Sequence, residues 1–183
     1  MIPEVIETPR LILRRWAPSD VAAVFGYATD EEWGRYLPVP QPYRESDARD
    51  FVAAQISLDG RDQLAWALQH ETGVIGGINL RLFAQRRIAE IDYAIARAWW
   101  GRGLGTEAAA AVVDAAFHGI DELIRVRSMI DARNVASARV LEKVGLQREG
   151  LLRSNGFKRG EAIDEAWYAV LRTQWQDRAS ARR

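Results

Sequence analysis

Hydrophobic and polar residues alternate along seven stretches of the chain, and this alternation predicts strands of a half-buried sheet. The predicted strands are 8–16, 64–68, 74–83, 88–96, 124–131, 146–153 and 163–173. Apolar residues at helical spacing predict four helices, which begin near Ser19, Ser46, Leu104 and Asn134. A polar loop is predicted over residues 154–160, and the tail from Gln176 to Arg183 is expected to fray.

The order of these elements predicts the fold class. Residues 71–73 join two strands as a β-hairpin, whereas a helix separates strand 88–96 from strand 124–131 and makes that pair parallel. The chain is therefore predicted to be an α+β protein with one parallel crossover. Since no linker or shift in composition divides the sequence, we expect one domain over residues 1–183.

The composition narrows the classes of function. The formal net charge is zero, so nothing indicates the basic surface of a nucleic-acid-binding protein. The absence of cysteine excludes disulfides and cysteine nucleophiles, and two histidines make a histidine-rich metal site improbable. No apolar run approaches the ~18 residues of a membrane span, and no export signal is recognisable, so we expect a cytoplasmic protein without membrane contact.

A cluster of glycines marks the junction between strand 88–96 and the helix after it. The stretch WWGRGLGTEAAAA carries Gly101, Gly103 and Gly105 at every second position. Glycines at such a junction let backbone amides converge beside the positive end of a helix, which is a site suited to phosphate. A tight turn with a helix cap uses the same residues, so both interpretations stay open at this point. The junction fits neither a P-loop nor a dinucleotide fingerprint, because Thr106 and Glu107 follow Gly105.

Several motifs together resemble the GNAT acetyltransferase superfamily, and within it the RimJ/RimL-like branch. They are, in family order, TPRLILRRW, HETGVIGGINL, AEIDYAI running into WWGRGLGTEA, NVASARVLEKVGLQREGLLR and EAWYAVL. The resemblance implies a mixed, mostly antiparallel central sheet with helices on both faces. It also implies that a splayed parallel strand pair forms a cleft for acetyl-CoA, which acts as co-substrate.

The resemblance further assigns residues to the cofactor. The CoA pyrophosphate is expected on the amides of Arg102, Gly103, Leu104, Gly105 and Thr106. The amides of Ile95 and Arg97 are expected to pair with the pantetheine as an added strand would, and Asn134 is expected to contact CoA, to cap its helix, or both. Trp100 departs from the family, which usually has glutamine or arginine there.

The same resemblance suggests the catalytic residues. Glu90 matches the acidic residue of this strand and is expected to act as general base through water, although an ordinary surface glutamate fits the position too. Asp92 lies two residues on, where relatives often have glycine, and it can assist or be merely exposed. Leu141 stands where many GNAT enzymes have a tyrosine that acts as general acid for the thiolate. Ser137 is therefore expected to approach the CoA sulfur instead, or else to serve only in packing its helix.

The expected reaction is direct attack of a primary amine on the thioester, with no protein nucleophile. A peptide or protein N-terminus is one acceptor, because an α-amine with a pKa of about 8 is more often neutral at pH 7 than a lysine near 10.4. A small-molecule amine, such as an antibiotic, polyamine or amino acid, is the alternative acceptor. A non-catalytic acyl-CoA-binding module is the contrasting class of function, and the sequence leaves monomer and homodimer open.

Overall fold

The computed structural model describes residues 1–181 of the chain, and within them eight strands form one sheet. The strands are β1 (Ile6–Glu7), β2 (Ile12–Arg14), β3 (Gln63–His70), β4 (Gly73–Phe83), β5 (Ile88–Ile95), β6 (Arg125–Asp131), β7 (Gln147–Lys158) and β8 (Glu161–Leu171). Their order across the sheet is β1-β2-β3-β4-β5-β6-β8-β7. The β5–β6 pair is parallel and the other neighbouring pairs are antiparallel, so the predicted α+β class with its single crossover is confirmed.

The parallel pair separates after three residue pairs. Ile88 to Glu90 are in register with Arg125 to Arg127, and the next residue of β6, Ser128, donates its hydroxyl to the carbonyl of Ile91 at 2.9 Å. Beyond this point β5 continues to Ile95 and β6 to Asp131 without pairing to each other. The predicted splayed pair is therefore present, with Ser128 closing its narrow end.

Helices cover both faces of this sheet. They are α1 (Val21–Ala28), α2 (Glu31–Gly34), α3 (Glu45–Ile56), α4 (Leu104–Gly119), α5 (Val135–Val144) and α6 (Arg172–Ala181). Successive residues of β3 show the two faces, because Trp66 and Leu68 join the larger core with α4 whereas Ala67 joins a smaller core with α1 and α3. None of the described helices combines the length and the apolar character that crossing a membrane needs.

Three predicted boundaries are wrong. The predicted strand 8–16 shortens to β2 (Ile12–Arg14), and the short strand β1 before it was not predicted. Pro9 lies in the turn between them, where the amide of Thr8 donates to the carbonyl of Leu11 at 2.9 Å. The last two strands reach Lys158 and Glu161, so the predicted loop shrinks to a tight turn after bulges that the alternation does not reveal. Most of the expected frayed tail is α6, held by the stacking of Trp175 on Phe117, while residues 182–183 lie outside the described residues.

Candidate active site

The glycine stretch forms the turn between β5 and α4. Gly101 and Gly103 have φ angles of +74° and +79°, which are left-handed conformations that side chains disfavour. The amide of Glu107 donates to the carbonyl of Gly103 at 3.0 Å, so this bond begins the helical hydrogen-bond ladder. The amides of Leu104, Gly105 and Thr106 come before this bond. They lie at the N-terminal end of α4, where the helix dipole is positive.

The third glycine keeps open the space in front of these amides. A Cβ atom on Gly105 would lie 3.7 Å from Ile95, 3.8 Å from Val140 and 3.9 Å from the Tyr93 ring. These neighbours belong to β5 and α5, so a larger side chain at Gly105 would project between the two walls of the opening. The turn therefore fits a phosphate-bearing ligand, both by its amides and by the room in front of them.

The hairpin of β1 and β2, which we call the first hairpin, holds the glycine turn in place. Arg10 donates from Nη1 to the carbonyl of Arg102 at 2.9 Å and from Nε to the Glu107 carboxylate at 2.7 Å. Thr8 donates its hydroxyl to the same carboxylate at 2.7 Å. Burial acts to raise the pKa of Glu107, but the hydrogen bonds from Thr8 and Arg10 outweigh it and lower that pKa. Sequence reasoning had treated TPRLILRRW only as a strand and a family motif, and so missed this tether.

A cavity of about 560 Å³ opens from the turn along the separated strands. It is lined by the end of β5, the glycine turn, the first turns of α5, and residues around α2. Of the predicted site residues, it brings together Ile95, Gly103, Leu104, Gly105, Thr106, Asn134 and Ser137. Glu90, Arg97 and Arg102 are not among its lining residues in the described chain.

The two arginines beside the turn have other partners. Arg97 forms an ion pair with Asp30 at 3.3 Å, and the Arg102 guanidinium lies 4.8 Å from the centre of the Trp99 ring. Trp100, which departs from the family pattern, donates its indole N–H to the carbonyl of Ile95 at 2.7 Å. Trp100 therefore ties the turn back to the end of β5, a structural use for a residue that cannot offer a phosphate a charge.

A pair of hydroxyl groups faces the cavity at the start of α5. Asn134 caps this helix, because its side-chain oxygen accepts from the amide of Ser137 at 3.1 Å. The phenol oxygen of Tyr93 lies 2.9 Å from the Ser137 hydroxyl oxygen and 3.2 Å from the Ser137 carbonyl oxygen, and its one proton can be donated to either. Burial raises the pKa of Tyr93 strongly, so the phenol stays protonated. Leu141, at the position where the resemblance led us to look for a tyrosine, is fully buried in the core.

Two carboxylates lie on the opposite face of β5. Glu90 accepts from Arg81 at 2.8 Å and from Arg127 at 3.0 Å, and only 10% of its side chain is exposed. Asp92 accepts from Asn79 at 2.8 Å and lies 3.1 Å from Arg81. Burial raises the pKa of Asp92 despite these two partners. Neither carboxylate belongs to a metal cluster, since no group of three or more potential ligands is found among the described residues.

Long-range contacts hold the main chain near Tyr36, which lines the cavity. Lys158 donates from Nζ to the carbonyl of Tyr36, and Arg159 donates to the carbonyl of Gly34 at 2.8 Å. We call these two contacts the clasp, because they join the β7–β8 hairpin to the end of α2 and to Tyr36, which lines the cavity. Asp131 lies beneath with 1% of its side chain exposed, and its hydrogen bond from Arg133 lowers its pKa.

Comparison with known proteins identifies relatives over most of the chain. Residues 10–147 match the family described as "Acetyltransferase (GNAT) domain". The "Uncharacterized N-acetyltransferase p20" of Bacillus licheniformis is 29% identical over 176 residues, which cover 94% of this chain and 98% of that protein. The "Putative ribosomal N-acetyltransferase YdaF" of Bacillus subtilis (strain 168) is 30% identical over 135 residues, which cover 73% of this chain and 72% of that protein.

A solved structure of RimL, the ribosomal L7/L12 α-N-protein acetyltransferase in complex with coenzyme A, shares the fold with a TM-score of 0.80. The superposition covers 92% of this chain and 98% of the RimL chain at 18% sequence identity. At this level of identity the likeness concerns the fold alone.

Proposed function

Since the chain belongs to the GNAT acetyltransferase family, whose members are acetyl-CoA-dependent, we propose that this acetyltransferase transfers acetyl directly to the α-amine of a peptide or protein N-terminus. One observation carries the proposal. A single cavity connects the free amides at the start of α4 with the Tyr93–Ser137 hydroxyl pair beside the separated strands. A phosphate and a thioester at opposite ends of one extended ligand fit this arrangement.

The cofactor lies in this cavity in our proposal. Its pyrophosphate accepts hydrogen bonds from the amides of residues 102–106, and its pantetheine follows the end of β5 at the amides of Ile95 and Arg97. Asn134 contributes by capping the helix that carries Ser137. Acetyl-CoA supplies the activated thioester carbonyl, so the protein has to provide position, proton transfer and stabilisation of charge.

The chemical step needs one proton acceptor and one donor. The amine nitrogen attacks the carbonyl carbon, and its proton leaves through water. In our proposal the final acceptor is Glu90, which lies on the other face of β5 outside the cavity lining, so the proton has to pass along a chain of water molecules. As the C–S bond breaks, its electron pair goes to sulfur, and the Ser137 hydroxyl donates a hydrogen bond to the new thiolate. The thiolate then takes its proton from solvent, because a serine hydroxyl is a far weaker acid than a thiol. These steps leave Glu90 and Ser137 in their starting protonation states once Glu90 releases its proton to solvent.

Two arguments support an N-terminal α-amine as the acceptor. An α-amine has a pKa of about 8, so a substantial fraction is neutral near pH 7 and a weakly assisting base suffices. The name of YdaF also refers to a ribosomal N-acetyltransferase, and that protein shares 30% identity with this chain. The acceptor would enter past Trp33, Tyr36 and Leu37, which line the cavity opposite the cofactor.

A small-molecule amine is the second candidate acceptor, and the clasp favours it. Lys158 and Arg159 bridge to the carbonyls of Tyr36 and Gly34, and so restrain a segment that lines the proposed acceptor side of the cavity. A bridged opening admits a short amine more readily than an extended polypeptide. The acceptor therefore has to be decided by direct competition between the two classes.

The experiment is a thiol-release assay with acetyl-CoA and a matched panel of amines. One peptide has a free α-amine and blocked lysines, its partner has a blocked α-amine and one free lysine, and the small amines include a polyamine and amino acids. Turnover with the first peptide alone supports the proposal, and turnover with small amines alone favours the second candidate. Calorimetric binding of acetyl-CoA with no turnover on any amine would favour a non-catalytic acyl-CoA-binding protein.

A further inference from the structure

Tyr93, a residue of β5, is placed to act on the leaving-group side of the reaction. Its phenol oxygen lies 2.9 Å from the Ser137 hydroxyl, and both residues line the cavity. Its ring stands beside the glycine turn, since a Cβ on Gly105 would lie 3.9 Å from it. Tyr93 therefore touches the same hydroxyl that our proposed function directs at sulfur.

Two hydrogen-bond arrangements are compatible with these positions. In one, Tyr93 donates to the Ser137 hydroxyl oxygen, and the serine proton is free to point into the cavity. In the other, the Ser137 hydroxyl donates its hydrogen bond to the Tyr93 oxygen, and Tyr93 donates to the Ser137 carbonyl at 3.2 Å. The two distances are compatible with both arrangements, but an anionic sulfur in the cavity is a stronger acceptor for the Ser137 proton than a neutral phenol, so ionised CoA favours the first arrangement.

We propose that Tyr93 is a positioning residue that donates to the Ser137 hydroxyl oxygen and thereby directs the Ser137 proton at the CoA sulfur. This inference rests on the proposed function, because it needs CoA in the cavity. No bond to Tyr93 forms or breaks in the step. The C–S electron pair goes to sulfur, Ser137 donates a hydrogen bond to the thiolate, and solvent supplies the proton that completes the thiol.

Hydrogen bonds in a chain strengthen one another, so a serine that accepts from a phenol is a better donor to an anion. Burial, which raises the pKa of Tyr93, keeps the phenol a donor throughout the pH range in which the thiol ionises. Asn134 fixes the other side of Ser137 by accepting from its amide at 3.1 Å. Ser137 is therefore held at both its amide and its hydroxyl.

The test measures how strongly the protein favours the thiolate of bound CoA, which requires no acceptor. Dissociation constants of CoA and of desulfo-CoA are measured by calorimetry across the pH range around the ordinary thiol pKa of about 8.5. The ratio of the two constants reports the ionisation of bound thiol. The variants are Tyr93→Phe, Ser137→Ala and the double variant, with Tyr168→Phe as the matched control because Tyr168 is 4% exposed and belongs to the core.

In the wild-type protein and in Tyr168→Phe, we expect the bound thiol to ionise at a lower pH than free CoA. Ser137→Ala should weaken this preference roughly tenfold and Tyr93→Phe about threefold, since a hydrogen bond to a charged group is lost or weakened. The double variant should match Ser137→Ala. With an active acceptor, Tyr93→Phe should lower kcat and leave the KM for acetyl-CoA unchanged.

Three results would overturn the inference. Thiol ionisation in Tyr93→Phe could equal that of the wild type, or Tyr93→Phe could still shift it in the Ser137→Ala background. Tyr93→Phe could also weaken CoA and desulfo-CoA equally, which would show that the phenol only pins α5 to β5. Failure of the wild-type protein to bind either ligand would instead contradict the proposed function, so the two failures are distinguishable.

Discussion

Single residues decide whether the turn after β5 can hold phosphate. Gly101 and Gly103 adopt positive φ angles, and the amides that follow are left facing the cavity. The glycine turn could be predicted from the sequence, because its glycines are close together in the chain. The contact between Gly103 and Arg10 could not be predicted, because Arg10 is remote in the chain. A Cβ atom on Gly103 would lie 3.5 Å from the Arg10 side chain.

Gly103→Val should abolish binding of acetyl-CoA. A β-branched side chain at a φ of +79° is strained, so the turn must rearrange and its amides no longer converge. Titration calorimetry with acetyl-CoA measures the effect. Gly26→Ala is the control, because a Cβ there meets nothing within 4 Å; it should stabilise α1 by about 0.5–1 kcal/mol and leave the affinity unchanged. An unchanged affinity in Gly103→Val would refute the phosphate site.

The identity of the base is also a question about single residues. Glu90→Gln should lower kcat mainly at low pH, where the amine most needs a proton acceptor, with little change in the affinity for acetyl-CoA. Asp92→Asn is the matched variant, since it lies two residues away and shares Arg81. The measurement is the pH–rate profile of each variant. A wild-type profile in Glu90→Gln together with an altered one in Asp92→Asn would transfer the role to Asp92, whose pKa burial raises.

At the scale of elements, the first hairpin and α4 are joined through one carboxylate. Glu107 accepts from the hydroxyl of Thr8, and from both the amide and the side chain of Arg10. These donors lie more than 90 residues away in sequence, so no periodicity within either element could predict the joint. The positions of β2 and α4 followed from local patterns, but their connection depends on the complete sheet.

Glu107→Gln should cost about 1–2 kcal/mol of unfolding free energy at pH 7. Because the folded-state pKa of Glu107 lies below its ordinary value of 4.5, the wild-type advantage is present above about pH 4.5 and disappears as the pH falls through the folded-state pKa. Urea unfolding at pH 7 and near pH 3 measures the difference. Glu45→Gln is the control, because its pair with Arg49 is exposed and should contribute little at either pH. A pH-independent difference for Glu107→Gln would contradict this account.

At the scale of the whole molecule, prediction from sequence succeeded where the information is local. Alternation located most strands, and the glycine stretch and Asn134 located the starts of α4 and α5. It failed for contacts that exist only once the chain is folded. Lys158 and Tyr36 are 122 residues apart, and Lys158 lay in what the sequence predicted to be a loop. The glycine turn was therefore foreseeable, whereas the clasp was not.

The clasp yields a prediction about acceptor size. Arg159→Met removes the hydrogen bond to the Gly34 carbonyl and leaves Lys158 beside Asp131, so the opening is loosened without exposing a buried charge. We expect the ratio of kcat/KM for a peptide to that for a small amine to rise about fivefold, the equivalent of one ordinary hydrogen bond, with the KM for acetyl-CoA unchanged. Arg153→Met, at an exposed position of β7, is the control. If Arg159→Met leaves the ratio at the control value, the clasp does not select acceptors, and the argument it provides for a small amine falls with it.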